Sequence, residues 1–162
     1  MSGSGVVGEA ATLRRMEGQR PDARTRSSVT IAADPAVVMA VIADVGAYPE
    51  WIPAIKAVEV LATRPDGLAS VVRFVLDAGV VADDYALAYE WADDEVSWHL
   101  VRGTSIKAMD GSYRLRRVIG GTEVEYALSI ALDMPLLGVF KRKAESVVIG
   151  TALDALKGRV EA

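Results

Sequence analysis

Residues 135–160, PLLGVFKRKAESVVIGTALDALKGRV, predict one long C-terminal helix. Pro135 suits the first turn, where the amide hydrogen that proline lacks has no intrahelical acceptor. At about 100° per residue the helix has one apolar face with mostly alanine at its centre. The residues of this alanine-centred face are Leu137, Ala144, Val148, Ala152 and Ala155, widened by Ile149 and Leu156. Small side chains cover a cavity without filling it, so we expect this helix to close a cavity against a sheet.

A second apolar stripe runs along the same helix through Ile149, Leu153 and Val160. It is rotated from the alanine-centred face by more than a right angle. A helix that lies on a sheet needs only one apolar face. We therefore expect the second stripe to pack under the first helix or the N-terminal tail, or to join two copies of the chain in a homodimer about a two-fold axis.

The chain before this helix predicts a sheet, because apolar and polar residues alternate from Ile55 onward. Turn residues divide the alternation into six strands with expected bounds of 55–64, 69–77, 82–92, 95–102, 106–118 and 122–132. Short connections between consecutive strands require antiparallel pairing. If Gly120-Gly121 is the last two-residue turn, Arg116 lies opposite Glu125 on the outer surface of the sheet.

A seventh strand and two short helices are predicted before this meander. The strand covers residues 28–32. Asp34-Pro35 then supplies an N-cap and a first-turn proline for a helix, and prolines bound a second short helix or turn over residues 47–53. The expected fold class is α+β, with a seven-stranded antiparallel sheet curved around the C-terminal helix.

Residues 1–27 have a different composition from the rest of the chain. They are rich in Gly, Ser and Arg, and they carry five arginines against three acidic residues. Without sustained periodicity such a segment cannot bury enough apolar surface to fold. We expect a disordered tail over 1–27 and one domain over 28–162.

The overall composition disfavours several classes of function. The chain has a net charge of −4 at pH 7, no cysteine and one histidine. A net negative charge does not indicate a basic surface of the kind that binds nucleic acid. A chain without cysteine forms neither disulfides nor a thiol nucleophile. The one histidine, His99, falls on the outer face of the sheet. With no signal peptide and no apolar run of about 18 residues, we expect a cytoplasmic protein without stable membrane insertion.

The alternation directs aromatic residues to the concave face of the sheet and charged residues to the convex face. It is clearest at 84–91, where Tyr85, Leu87, Tyr89 and Trp91 point one way. Large apolar rings with a few polar tips suit a pocket for a flat or oily ligand. The alternative is that these rings fill the space themselves. Gly111 and the helix alanines remove volume, which favours a hollow.

The order of strand, two helices, six strands and long helix resembles a helix-grip protein of the START-like (SRPBCC) superfamily, over residues 28–161. The chain is similar to the polyketide cyclase/dehydrase family and to the coenzyme Q-binding branch. The residues that carry the resemblance are Asp34-Pro35, Asp44 with Tyr48-Pro49-Glu50-Trp51, the aromatic hairpin from Tyr85 to Trp98, and Asp110-Gly111-Ser112-Tyr113.

The resemblance implies a hydrophobic cavity between the concave face and the C-terminal helix, with a hydrophobic small molecule as the partner. The residues expected to line this cavity are Phe74, Tyr85, Tyr89, Trp91, Trp98, Met109, Tyr113, Tyr126, Val148 and Ala152. We expect no cofactor and no metal. The acidic turns at Asp83-Asp84 and Asp93-Asp94-Glu95 are interpreted as solvated, with a hard cation as the alternative.

Three functions fit these expectations. The first and favoured one is binding or carriage of a lipid, isoprenoid quinone or polyketide-like molecule. The second is cyclisation or dehydration of a polyketide-like substrate in the same cavity, and the third is a protein-interaction module. Catalysis needs a positioned acid, base or nucleophile. The predicted inward faces offer only tyrosines, while Arg73, Arg114 and Arg116 lie outside, so enzymatic activity is left open.

Overall fold

Seven strands and three α-helices make up the described chain. The computed structural model describes residues 23–79, 81–134 and 138–162. The strands are β1 (Thr25–Ile31), β2 (Ile55–Thr63), β3 (Ala69–Asp77), β4 (Ala82–Trp91), β5 (Glu95–Arg102), β6 (Ile106–Val118) and β7 (Gly121–Leu132). The helices are α1 (Pro35–Ala43), α2 (Tyr48–Trp51) and α3 (Gly138–Glu161), and one turn of 3-10 helix (Val45–Ala47) joins the first two.

The predicted helix-grip fold is confirmed. All strands pair antiparallel in one sheet of order β1-β7-β6-β5-β4-β3-β2. Strands β1 and β2 follow each other in sequence but form opposite edges, and α1 and α2 carry the chain between them. Strand β1 begins at Thr25, three residues before its predicted start. Most of the predicted disordered tail, residues 1–22, lies outside the described residues, as do Pro135, Leu136 and Leu137.

Helix α3 packs on the sheet with a different face from the one predicted. Ile149, Leu153 and Leu156 are buried, together with Glu145, while Ala144 and Val148 are exposed. The second stripe is thus the inward face, since Val160 also packs against the core. Burial of branched side chains removes more apolar area from water than burial of alanine. The stripe that was expected to need another partner already has one in this chain.

The last hairpin has a different register from the one predicted. Val118 pairs with Gly121, so the two turn residues are Ile119 and Gly120. Arg116 therefore lies opposite Glu123, and its guanidinium is 3.1 Å from that carboxylate. Gly121 has a φ of +148°, and a Cβ there would lie 2.0 Å from the carbonyl oxygen of Ile31. Both the positive φ and the close approach of β1 require glycine at this position.

The core lies between the concave face of the sheet and helices α1 and α3. Its fully buried aliphatic residues come from all three parts, with Ile31 on β1, Val38 and Ile42 on α1, and Ile149 and Leu156 on α3. None of the described helices is both long enough and apolar enough to cross a membrane.

Candidate functional site

The concave face carries eight of the ten predicted lining residues. All eight lie on β3 to β7, and all but the half-buried Trp91 are buried. They are Phe74, Tyr85, Tyr89, Trp91, Trp98, Met109, Tyr113 and Tyr126. The strand registers place several of them side by side: Phe74 pairs with Tyr85, Tyr89 with Trp98, and Tyr113 with Tyr126. The period-two pattern thus builds one continuous aromatic surface.

The rings of this surface form two groups of contacting rings. In the larger group Trp98 lies at the centre, with ring centroids 5.4 Å from Tyr113, 5.6 Å from Tyr126 and 5.9 Å from Tyr89. Tyr113 and Tyr126 meet edge to face at 4.6 Å. Aromatic pairs at such separations prefer offset or edge-to-face geometry, which fixes each ring relative to its neighbours. The larger group is therefore a rigid wall.

The smaller group joins the sheet to helix α2. Tyr48 stacks on Phe74 with centroids 6.2 Å apart, and Phe74 contacts Tyr85 at 5.6 Å. The Tyr48 hydroxyl donates a hydrogen bond to the carbonyl oxygen of Ile42, and its ring meets Trp51 edge to face. Sequence analysis left Tyr48 out of the site. Tyr48 lies in a short proline-flanked helix, so the alternation of the strands did not predict the direction of its side chain.

Gly111 does not create a hollow, contrary to the prediction. Trp98 pairs directly with Gly111 across β5 and β6. A Cβ at position 111 would lie 2.4 Å from two carbons of the Trp98 indole and 2.5 Å from its nitrogen. The indole therefore occupies the space that the missing side chain leaves. Gly111 seats the central ring of the larger group.

We expect Gly111→Ala to destabilise the protein by about 1–3 kcal/mol, the usual cost of overpacking a filled site. The indole has no flexible end that could move aside, so it must tilt against Tyr113 and Tyr126. Chemical denaturation followed by circular dichroism measures the change. Gly46→Ala is a matched control, because nothing lies within 4 Å of a Cβ there. Equal stability of the two variants would contradict the seating role of Gly111.

Four tyrosine hydroxyl groups on the concave face have no partner within the described chain. No side-chain hydrogen bond between described residues involves the hydroxyl of Tyr85, Tyr89, Tyr113 or Tyr126. In the same part of the chain, the one fully enclosed side-chain polar atom without a partner is Nε1 of Trp51. The four hydroxyl groups are thus not sealed in the core. They border space that a water-sized molecule reaches.

Burial keeps these phenols protonated. It raises the pKa of Tyr85 and Tyr113 above the ordinary value of 10, with a smaller contribution from the nearby Asp83 and Tyr48 respectively. Burial also raises the pKa of Tyr89 and Tyr126 well above that value, and neighbouring phenols raise it further. Tyr89 is influenced by all four other tyrosines, so these phenols lie near one another. At neutral pH they are hydrogen-bond donors, not bases.

The two predicted helix residues lie apart from this cluster. Ala152 is half-buried and packs against the core, but Val148 is 42% exposed. Val148 and the buried Ile149 are neighbours, which puts them about 100° apart around the helix. The assignment of Val148 to the sheet-facing side is corrected, because the face that contains Ile149 is the one that packs.

Sequence analysis missed the one carboxylate that α3 turns inward. Glu145 is 2% exposed. Its two carboxylate oxygens accept hydrogen bonds from the Thr25 hydroxyl at 2.8 Å, the Ile130 amide at 2.7 Å and the Lys141 ammonium at 2.6 Å. Ile130 lies two residues beyond the last β1–β7 pair, Thr25 with Leu128. Glu145 therefore satisfies a β7 amide at the point where β1 ends.

Asp83 and Asp84 lie on β4 and not in a turn, and Asp83 is buried, so its interpretation as a solvated turn residue is wrong. The buried Asp83 accepts hydrogen bonds from the backbone amides of Thr104, Ser105 and Ile106 at 2.9–3.1 Å. Arg73 binds the Asp84 carboxylate, which lowers the pKa of Asp84. Among the described residues no group of three or more acidic or histidine side chains is placed to hold a metal ion. His99 is exposed on the outer face, as predicted.

A separate groove of about 450 Å³ lies on the outside of the helical layer. Helix α1, helix α2 and the C-terminal end of α3 form it, and its walls are mostly alanine and valine, with Asp44, Trp51 and Arg159 at its edge. None of the ten predicted lining residues belongs to it.

Residues 31–157 match the family model described as polyketide cyclase / dehydrase and lipid transport. The chain belongs to this family. The match covers the sheet from the end of β1 onward and most of α3, so the predicted resemblance to the polyketide cyclase/dehydrase family is confirmed. No curated protein matches the sequence significantly.

Solved structures similar to this polyketide cyclase/dehydrase family member share its fold. A START superfamily protein from Mycobacterium smegmatis has a TM-score of 0.80 at 22% identity, covering 85% of this chain and 97% of that one. The Zhui aromatase/cyclase from Streptomyces sp. R1128 has a TM-score of 0.70 at 18% identity, covering 85% and 93%. A protein from Thermus thermophilus has a TM-score of 0.70 at 20% identity, covering 85% and 96%.

Proposed function

We propose that this family member binds a hydrophobic small molecule that carries carbonyl or hydroxyl oxygens, such as a quinone or a polyketide-like compound, on its concave face. The observation that carries this proposal is the set of four tyrosine hydroxyl groups without a partner in the described chain, within an otherwise apolar aromatic wall. A wall of this kind offers apolar contact area to a flat ring system. A plain hydrocarbon would leave the hydroxyl groups unpaired.

The raised pKa values decide what the tyrosines offer to such a ligand. A neutral phenol both donates and accepts a hydrogen bond. Burial disfavours its ionised form, so donation to a ligand oxygen persists through the neutral pH range. A buried donor that gains a partner contributes about 0.5–1.5 kcal/mol. Two or three such bonds set the orientation of a planar ligand, while apolar contact supplies most of the affinity.

Binding is favoured over catalysis by the state of Glu145. The carboxylate is inward-facing, but both of its oxygens are engaged by protein donors. A general base needs a free oxygen within hydrogen-bond reach of the substrate proton. The similarity to an aromatase/cyclase is a likeness of fold at 18% identity, and it supports a shared cavity shape more than a shared reaction.

The test compares two ligands that share a fused two-ring skeleton, one with carbonyl oxygens and one without. Displacement of 1-anilinonaphthalene-8-sulfonate reports binding of 1,4-naphthoquinone and of naphthalene to the same protein. We expect Tyr113→Phe and Tyr126→Phe to weaken naphthoquinone binding about 2- to 10-fold, because each removes one donor worth about 0.5–1.5 kcal/mol. Binding of naphthalene is expected to stay unchanged, since each phenylalanine keeps the ring.

Tyr48→Phe is the matched control for this experiment. Its hydroxyl is bound to Ile42 and is not free for a ligand, so the variant loses stability but keeps its preference for the quinone. If neither compound displaces the probe from the wild type, or if Tyr113→Phe and Tyr126→Phe weaken both compounds equally, the proposed role of the hydroxyl groups is wrong.

A further inference from the structure

The N-terminal half of α3 leaves an apolar surface without a partner in the described chain. Four side chains of this half, together with one residue at the end of β7, are 42–77% exposed. They are Met134, Val139, Phe140, Val147 and Val148, and we call them the outer patch. Isolated exposed aliphatic residues are ordinary on a protein surface, whereas a contiguous set marks an interaction site.

Phe140 and Val147 lie at the centre of the outer patch, and Val139 and Val148 lie about 80–100° to either side of Phe140 around the helix. Phe140 and Val147 are seven residues apart and point in nearly the same direction at about 100° per residue. Phe140 and Ile149 are nine residues apart and point in opposite directions. Since Ile149 is fully buried against the core, the Phe140 side of α3 faces away from the protein. The exposure therefore follows from the way α3 packs.

Basic side chains lie beside the outer patch. Lys141, Arg142 and Lys143 follow Phe140 directly. Lys141 turns inward to Glu145, whereas Arg142 and Lys143 are exposed. Lys143 lies about 60° from Phe140 around the helix, whereas Arg142 is seven residues before Ile149 and points away from the Phe140 side. Residues 138–148 contain three basic side chains and one acidic one, in a chain whose net charge is −4. The local charge is opposite in sign to that of the whole molecule.

From this combination we infer that the outer patch docks on an anionic lipid bilayer. An interfacial helix inserts apolar side chains at the level of the headgroups and keeps basic residues next to anionic phosphates. Each Lys or Arg near such a surface adds about 1 kcal/mol. Phe140, Val139 and Met134 supply the inserted part, and Lys143 supplies the electrostatic part. The contact is peripheral, since only one side of α3 takes part.

Charge argues against a second copy as the occupant of the outer patch. In a two-fold dimer the outer patches of the two copies face each other. Lys143 lies between Phe140 and Val147 on this side of the helix, so a dimer would bury one lysine from each copy in its apolar interface, and charged residues are depleted from interface cores. A bilayer that contains anionic lipid offers the opposite charge over its whole surface.

Co-sedimentation with vesicles tests this inference. Vesicles of phosphatidylcholine alone are compared with vesicles containing phosphatidylcholine and phosphatidylglycerol at 7:3, in low salt. We expect Lys143→Ala to weaken binding to the anionic vesicles about fivefold, the effect of one basic residue, whereas Arg142→Ala, on the other side of α3, is expected to have little effect. We expect Phe140→Ser/Val147→Ser to weaken it at least tenfold. Added salt is expected to weaken binding of the wild type more than that of Lys143→Ala.

Ile119→Ser is the matched control, because Ile119 is fully exposed at a turn outside the outer patch. Every protein keeps residues 1–27 with their five arginines, so differences between variants report the patch alone. Circular dichroism verifies that each variant is folded. Equal sedimentation of the wild type with both vesicle types, or binding of Lys143→Ala and Phe140→Ser/Val147→Ser like that of the wild type, would overturn the inference. So would a dimer in ultracentrifugation that Phe140→Ser/Val147→Ser dissociates.

Discussion

Above pH 10 the free energy of unfolding is expected to fall by as much as about 7 kcal/mol per pH unit. All five tyrosines of the chain are buried, and burial raises the pKa of each one, as illustrated by Tyr48 and Tyr89. In the unfolded chain they ionise near pH 10. The folded state holds their protons to higher pH, so unfolding releases protons. Each group then contributes up to about 1.4 kcal/mol per pH unit.

The sign of this effect follows from the raised pKa values. Stability is fully present below pH 10, where both states are protonated, and is lost as the pH rises through the folded-state values. Urea unfolding between pH 8 and 11.5 measures the slope, and each single Tyr→Phe variant is expected to reduce it by up to about 1.4 kcal/mol per pH unit. The difference in slope between each variant and the wild type does not contain the contribution of lysine titration, because all of these proteins share it.

Absorbance at 295 nm provides an independent check, because it detects tyrosinate directly. We expect tyrosinate to appear together with the loss of the circular dichroism signal, in one cooperative transition. A smooth titration with a midpoint near pH 10, while the protein remains folded, is the result that the buried tyrosine cluster forbids.

Replacement of Glu145 by alanine is expected to destabilise the protein by about 3–5 kcal/mol, the cost of breaking a buried ion pair from one side. The variant leaves the Ile130 amide and the Thr25 hydroxyl without their acceptor. It also leaves the Lys141 ammonium, which is only partly exposed, without its counter-charge. Glu145→Gln keeps one acceptor oxygen and is expected to fall between the wild type and the alanine variant. Urea denaturation at pH 7 measures all three proteins.

The same helix supplies a matched control for Glu145. Lys157 and Glu161 form an ion pair with the same four-residue spacing, at 2.8 Å, but in solvent-exposed positions. Exposed pairs contribute about 0–1 kcal/mol, so Glu161→Ala is expected to cost far less than Glu145→Ala. Similar losses in the two variants would show that Glu145 acts only as a helix-surface residue.

The sheet was predictable from sequence because each strand carries its own signal. Alternation and turn residues are local, so the bounds of β3, β5 and β6 agree with prediction at both ends. The register of the last hairpin, by contrast, was predicted wrongly. Gly120 and Gly121 both tolerate positive φ, and the choice between two turns depended on the approach of Ile31 from a distant strand. Local sequence does not contain that information.

The packing face of α3 was not predictable for a related reason. Two apolar stripes share the helix, and periodicity alone does not tell which one meets the sheet. The choice depended on the size of Ile149 and Leu153 and on the acceptor that Glu145 offers to Ile130. The aromatic part of the site was placed correctly on its strands, whereas Val148 was not. Whether these side chains bind a ligand stays a prediction that the tyrosine variants test.

The position of β1 has a consequence for how the chain is synthesised. Its partners on β7 lie 91 to 103 residues further along, from Ile31 with Thr122 to Thr25 with Leu128. Strands β2 to β7 pair with their sequence neighbours and can form as they leave the ribosome. Strand β1 must wait until nearly the whole sheet has emerged, and closing so long a loop is slow. Until β1 has paired, the edge of β7 is open to pairing with other chains, so the nascent protein is most prone to aggregate between the emergence of β7 and the docking of β1.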